Sequence, residues 1–195
     1  MNLKIETRER FSKAVFVVFL IFLVWSLLQF LAPLSIPSDS LKDLTGLSLI
    51  SDNYEDTENI PIPFNFVYSA GDRLCHQKAE RSFFINGNQM PFCSRCTAIW
   101  IGLVIGLLVM IFYKIDFDEK ILFLLLIGIA PLGIDGFGQL FGLWESLNLI
   151  RLLTGLFTGV VCGIAFGVII DEFKDMYINR ARKSVSYTHL TLPTN

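Results

Sequence analysis

Four apolar runs, at 14–34, 97–113, 121–143 and 148–170, constrain this chain more than any other feature. The hydrocarbon of a bilayer is about 30 Å thick, and about 20 apolar helical residues cross it. No charge falls between Ala14 and Ala32, only Asp135 interrupts the third run, and Arg151 stands at the start of the fourth. Backbone N–H and C=O groups cannot stay unpaired in lipid, so each run reads as a helix. The expected fold class is an all-α integral membrane protein: a four-transmembrane-helix bundle with a Cys/His-containing loop between helices 1 and 2. Composition agrees, because 53% of the 195 residues are hydrophobic and 17% charged, against about a quarter charged in a soluble domain. The first run follows Lys4, Arg8, Arg10 and Lys13 as a signal peptide would, but it exceeds the usual apolar core of about 7–15 residues and no A-x-A site follows it. An uncleaved anchor is expected.

Basic residues favour the cytoplasmic side. They occur in the N-terminal segment 1–13, at Lys114 and Lys120 between runs two and three, and at Arg180, Arg182 and Lys183 in the segment 171–183 after run four. A multi-pass protein of the cell membrane with both termini cytoplasmic is the expectation. The stretch 184–195, with His189 in it, reads as a sequence artefact and is set aside. A net charge of -2 and a pI near 5.7 provide no basic stripe, so nucleic acid is not an expected partner. The expected partners are the lipid bilayer and a lipid or small-molecule substrate.

Gly155, Gly159, Gly163 and Gly167 recur every fourth residue in the last run, and Gly102 and Gly106 do so in the second. Such small faces let helix backbones approach closely, which implies a compact bundle.

The loop between helices 1 and 2 divides in two. Residues 35–63 are polar and read as a flexible surface stretch, whereas 64–96 form an interfacial region that opens with a short helix at Phe64–Leu74. The second part carries CHQKAERSF at 75–83, an Asn86-Gly87-Asn88 turn and PFCSRC at 91–96. The turn brings Cys75, His76, Cys93 and Cys96 together. Alternation of the spans then places the start of run two, the end of run three and the start of run four at one mouth, whichever way the protein is inserted. Asp135 and Gln139, one helical turn apart, therefore share that mouth with Ser146, Asn148 and Arg151. An acid in hydrocarbon costs a few kcal/mol and must face a partner, a cavity or an ion; Pro131 and the glycines around it favour a cavity, and a pair with Arg151, which is within reach, is the alternative.

The combination of CHQ, ERSF, P-x-C-x-R-C, IDGFGQ and ESLNLIRLLTG resembles the predicted membrane proteins of the domain of unknown function 2085, over about Phe64 to Gly167. Ala98 and Trp100 depart from the Gly and Tyr expected there. The resemblance implies that Cys75, His76 and Gln77, then Arg81 and Ser82, then Cys93, Arg95 and Cys96 occupy motif positions. It implies the same for Asp135, Gln139, Ser146, Asn148 and Arg151.

Three readings fit these residues. The first is a metal site at the extracytoplasmic face, with Cys75, Cys93 and Cys96 as thiolates and His76 as fourth ligand or outer group, for zinc or another transition metal. Asp135, Gln139 and Arg151 are then the candidate catalytic group, with Arg81, Arg95 and Asn148 as binding residues. A lipid-headgroup enzyme whose phosphate is held by Arg81 or Arg151 is a subcase. The second is a thiol-disulfide oxidoreductase using Cys93 and Cys96 at a helix N-terminus, with quinone as cofactor. The third is a non-catalytic structural membrane protein.

Overall fold

The computed structural model describes residues 5–8, 11–44, 46, 51–116 and 118–190, with side chains described as far as Arg180. The elements in chain order are β1 (Ile5–Thr7), α1 (Lys13–Leu31), α2 (Tyr54–Thr57), α3 (Phe64–Leu74), β2 (Ser82–Ile85) and β3 (Asn88–Cys93). After these come α4 (Ser94–Phe112), β4 (Tyr113–Ile115), α5 (Glu119–Leu140) and α6 (Asn148–Leu190). Helices α1, α4, α5 and α6 are long and apolar enough to cross a membrane. Their outer faces expose large apolar side chains, among them Ile21, Leu27, Leu126, Ile134 and Phe137. A surface of this kind belongs against lipid rather than water.

Helix α4 lies along α6 in the most extensive pairing of the fold, because the glycines of both helices meet. A Cβ on Gly102 would stand 2.7 Å from the Cα of Gly159, and one on Gly106 would stand 2.8 Å from the Cα of Gly163. Any larger residue would push the two backbones apart. Helices α5 and α1 flank this central pair.

Helix boundaries differ from the apolar runs in ways that matter for the site. Helix α4 starts at Ser94 with Cys93 as its N-cap, so Arg95 and Cys96 belong to its first turn rather than to the loop. Helix α5 ends at Leu140, where Gly142 takes a positive φ of 67° and reverses the chain. Asp135 is therefore about 8 Å from the end of its helix at 1.5 Å per residue. Helix α6 continues past 170. Of the stretch set aside at 184–195, residues 191–195 lie outside the described residues, as do 1–4 and 9–10 of the N-terminal segment.

The fold is not purely helical. Strands β1 and β4 pair at one end of the bundle and β2 and β3 pair at the other, each an antiparallel two-stranded ribbon. Residues of the 35–63 stretch are also fastened rather than loose. Asn88 Oδ1 accepts from the amides of Ser40 (2.9 Å) and Leu41 (3.1 Å), and its Nδ2 donates to the carbonyls of Pro33 and Pro37 (both 2.9 Å). Leu44 donates its amide to Gln89 Oε1 at 3.0 Å. These side-chain amides take the place of strand neighbours, so the polar stretch packs on the hairpin and buries Leu41 and Leu44 with Tyr68 and Phe92.

Candidate functional site

Cys75 ends α3, and its thiol accepts the backbone N–H of Cys93 at 3.4 Å. Two features bring these distant residues together. Gly71 lets α3 lie directly on β3, since a Cβ there would fall 1.9 Å from the Pro91 carbonyl oxygen. Gln77 turns the chain at a positive φ of 43°, a conformation unusual for a residue with a side chain. Its amide holds that turn, donating to Pro91 O at 2.7 Å and accepting from Asn53 Nδ2 at 3.1 Å. Asn53 in turn donates to the buried carboxylate of Asp72 at 2.7 Å. Ser82 pairs with Cys93 across the hairpin, delivering Cys93 to the N-terminus of α4 and Cys96 to its first turn.

The donor atoms of Cys75, His76 and Cys93 all lie within 4.8 Å of one another, and Cys96, in the first turn of α4, packs against the same buried cluster. The neighbouring thiols donate to Cys93, which holds it far below the usual thiol range; His76 adds to this. Cys75, bonded to Cys93, is pushed up to about 11. A thiolate at Cys93 also suits the positive end of the α4 dipole. The Lys78 amide donates to His76 Nδ1 at 3.1 Å, which leaves Nε2 as the nitrogen available to a partner.

The second cluster begins two residues after Cys93. Arg95 Nη2 donates to Asp135 Oδ2 in an ion pair, so the partner of Asp135 is Arg95 and not Arg151. The reason is the early start of α4, which puts Arg95 in its first turn, from where its long side chain reaches across to α5. Gln139 Nε2 donates to Asp135 Oδ2 at 2.9 Å, and Trp144 Nε1 reaches Asp135 Oδ1 at 3.4 Å. Arg151, only 6% exposed, donates instead to two neutral acceptors, Gln139 Oε1 and Asn148 Oδ1, both at 3.0 Å. Ser94 Oγ donates to the same Asn148 oxygen at 3.2 Å, and Asn148 Nδ2 donates to the Glu80 carbonyl at 3.3 Å. A continuous polar chain thus runs from Trp144 through Asp135, Gln139 and Arg151 to the residue that follows Cys93. Arg81 lies beyond it, close enough to Arg151 to oppose its charge, as Arg95 also is.

Sequence reasoning missed the amides of Asn88 and Gln89, the Asp72 carboxylate and the role of Trp144 over Asp135. Polar residues in a loop read as surface, and only the run of turn residues at 86–88 signalled the hairpin that buries them.

A family model described as predicted membrane protein, domain of unknown function 2085, matches residues 75–169. An uncharacterized protein of Methanocaldococcus jannaschii is 37% identical over 115 residues, which cover 55% of this chain and 74% of that protein. Another uncharacterized protein, from Methanothermobacter thermautotrophicus, is 39% identical over 106 residues covering 54% of this chain and 92% of the relative. No solved structure matches the chain. The matched span takes in Cys75 at one end and all of the Asp135, Gln139 and Arg151 cluster, and the chain belongs to the domain of unknown function 2085 family of predicted membrane proteins.

Proposed function

We propose that this chain is a multi-pass membrane protein that holds a transition-metal ion, zinc by preference, on Cys75, Cys93 and Cys96 at the extracytoplasmic mouth of its bundle, with His76 at the fourth corner. The observation that carries the reading is the convergence of donors from two distant motifs to within 4.8 Å. Zinc–sulfur bonds of about 2.3 Å in a tetrahedron need sulfurs about 3.8 Å apart, so for Cys75 and Cys93 a closure of about 1 Å suffices. The donor set fits the metal: three cysteines and one histidine make the Cys₃His set that tetrahedral zinc accepts, and thiols give up their protons to a bound cation. His76 is the weakest member, because its Nδ1 lone pair is engaged by Lys78 and because it adjoins Cys75. The basic residues Lys114, Lys120 and Arg180, which lie at the opposite end, support this orientation.

When bound, the metal would supply a structural clamp between the hairpin and α4. Asp135, Gln139 and Arg151 form the candidate working group beside it. A carboxylate that already accepts from Arg95, Gln139 and Trp144 acts as a fixed anion rather than a base. Asp135 thereby positions Arg95 and Gln139, and Arg151 is the member left to meet a substrate.

Metal analysis of detergent-purified protein, with thiols counted before and after reduction, tests the reading. About one zinc per chain is expected, lost in Cys93→Ser and only weakened in His76→Ala. Metal-free protein with a reducible Cys93–Cys96 bond would overturn it and favour thiol exchange with a quinone.

A further inference from the structure

A cavity of about 290 Å³ opens between the turn at Glu80 and Arg81 and the start of α6, lined by those residues with Glu145, Ser146, Leu147, Asn148 and Arg151. Its floor carries more cationic character than its surroundings neutralise. Arg151 is 6% exposed and Ser146 5%, and the only acceptors Arg151 meets among the described residues are two side-chain amides. Asp135, the one buried carboxylate nearby, is occupied by Arg95. Arg81 faces the same space, and its one carboxylate partner among the described residues is Glu80, 3.7 Å away and mostly in solvent. Glu145 is exposed at the rim. Carboxylates in water screen a buried guanidinium poorly compared with an anion placed against it. The Ser146 hydroxyl has a single acceptor, the Leu147 carbonyl at 3.4 Å, beyond the usual 2.5–3.0 Å of an O–H···O bond. A buried hydroxyl and a buried guanidinium therefore both have bonding capacity to spare.

We propose that this cavity binds a phosphate group, with Arg151 and Arg81 as the guanidinium clamps and Ser146 as a hydroxyl donor. Guanidinium presents paired N–H groups that match phosphate oxygens, and the unpaired N–H groups of the first turn of α6 add to the favourable field. The group is supplied by a lipid headgroup or by free phosphate. This goes beyond the metal reading, and zinc content is measured on the same samples so that each fails by its own readout.

The test uses the full chain in neutral maltoside micelles, with thermal unfolding followed against three probes: inorganic phosphate, dioctanoyl phosphatidic acid and dioctanoylglycerol. A ligand that binds only the folded protein raises Tm saturably. Phosphatidic acid is expected to do so and dioctanoylglycerol is not. A response to phosphatidic acid alone assigns a headgroup, and an equal response to inorganic phosphate assigns the free ion. Arg81→Gln, which removes the charge of a partly exposed side chain, should weaken the apparent Kd about tenfold or more, and Ser146→Ala several-fold, as expected for lost bonds to a charged group. Lys42→Gln, paired with Asp39 away from the cavity, should change nothing. The proposal is overturned if neither phosphate probe saturates, if dioctanoylglycerol acts as well as phosphatidic acid, or if Arg81→Gln and Ser146→Ala leave binding unchanged.

Discussion

Asp135 and Asp171 are both acids on helices long and apolar enough to cross a membrane, 5% and 4% exposed, each ion-paired to an arginine distant in the sequence. Their surroundings differ in what is left over. At the Asp171 end, Arg8 Nη2 donates to the carboxylate and Arg8 Nε donates to the carbonyls of Met110 and Tyr113, both at 3.0 Å. Ser12 adds a hydroxyl, and Lys114 pairs with Asp175 at 2.8 Å. Two cations meet two acids, and the β1–β4 ribbon closes the end. At the Cys-bearing end Arg95 takes the Asp135 carboxylate and Arg151 is left with side-chain amides, Arg95 Nε has no partner among the described residues, and a cavity remains. The same ion pair serves as a latch in the first place and as part of an incomplete site in the second. Surplus charge, not the presence of a buried acid, separates the two.

The sharpest way to break this comparison is to remove each acid in turn. Asp135→Ala leaves Arg95 unpaired beside two other cations, and removing one partner of a buried pair costs about 3–5 kcal/mol. Asp171→Ala leaves Arg8 with two backbone acceptors, so the loss should be nearer the value of one charged hydrogen bond, about 1.5–3 kcal/mol. Denaturant-induced unfolding in mixed micelles measures both. Equal losses would show that the surplus cations do not matter. The double replacement Asp135→Asn with Arg95→Gln should recover most of the first loss, because neither charge is then stranded.

The sequence made one half of this contrast readable. Asp135 stood out as the lone charge in an apolar run, and parity alone assigned it to the mouth that holds the cysteines. Its partner was not legible because hydropathy locates a helix only where it turns apolar. Arg95 and Cys96 are polar residues in the first turn of α4, and the apolar run does not begin until after them. The Asp171 latch was unreadable for a related reason: Arg8 pairs with a residue 163 positions away, and charged residues outside the spans read as solvated. The Gly ladder was legible because close helix approach leaves no alternative to glycine. The buried amides of Gln77, Asn88 and Gln89 were not, since a loop that packs by polar bonds has no hydrophobic period to announce it.

Both ends hang on the α4–α6 seam, so a defect there should disturb them together. A Cβ at Gly159 would meet Ile99 O at 2.3 Å and Gly102 Cα at 2.9 Å, whereas one at Gly133 meets nothing within 4 Å. Gly159→Ala should therefore cost about 1–3 kcal/mol as overpacking, and Gly133→Ala should stay within about 0.5 kcal/mol. Loss of zinc and of the phosphate response in proportion to the unfolding of Gly159→Ala would confirm that the seam supports the site as a whole. Full retention of both in a destabilised variant would mean that the hairpin holds its ligands without the bundle.

The smallest effect concerns what covers Asp135. The turn at Gly142 folds Trp144 back over Gly138, where a Cβ would come within 2.1 Å of the ring, and the indole N–H reaches Asp135 Oδ1 only at 3.4 Å. A bond that long contributes little, so Trp144→Phe should cost less than about 1 kcal/mol. Trp144→Ala removes the ring itself. Because Trp144 is 45% exposed, the expected loss is about 2 kcal/mol, below the ~3–5 kcal/mol typical of a buried aromatic. The Asp171 end has Arg8 and the β1–β4 ribbon in that position instead, held by backbone bonds. If the two Trp144 variants are equally destabilised, the indole N–H is the contribution that matters and Asp135 relies on three donors. If only the alanine variant suffers, the ring acts as a shield that keeps the Arg95–Asp135 pair strong by excluding water, and the pair resembles the latch more than its unsatisfied neighbours suggest.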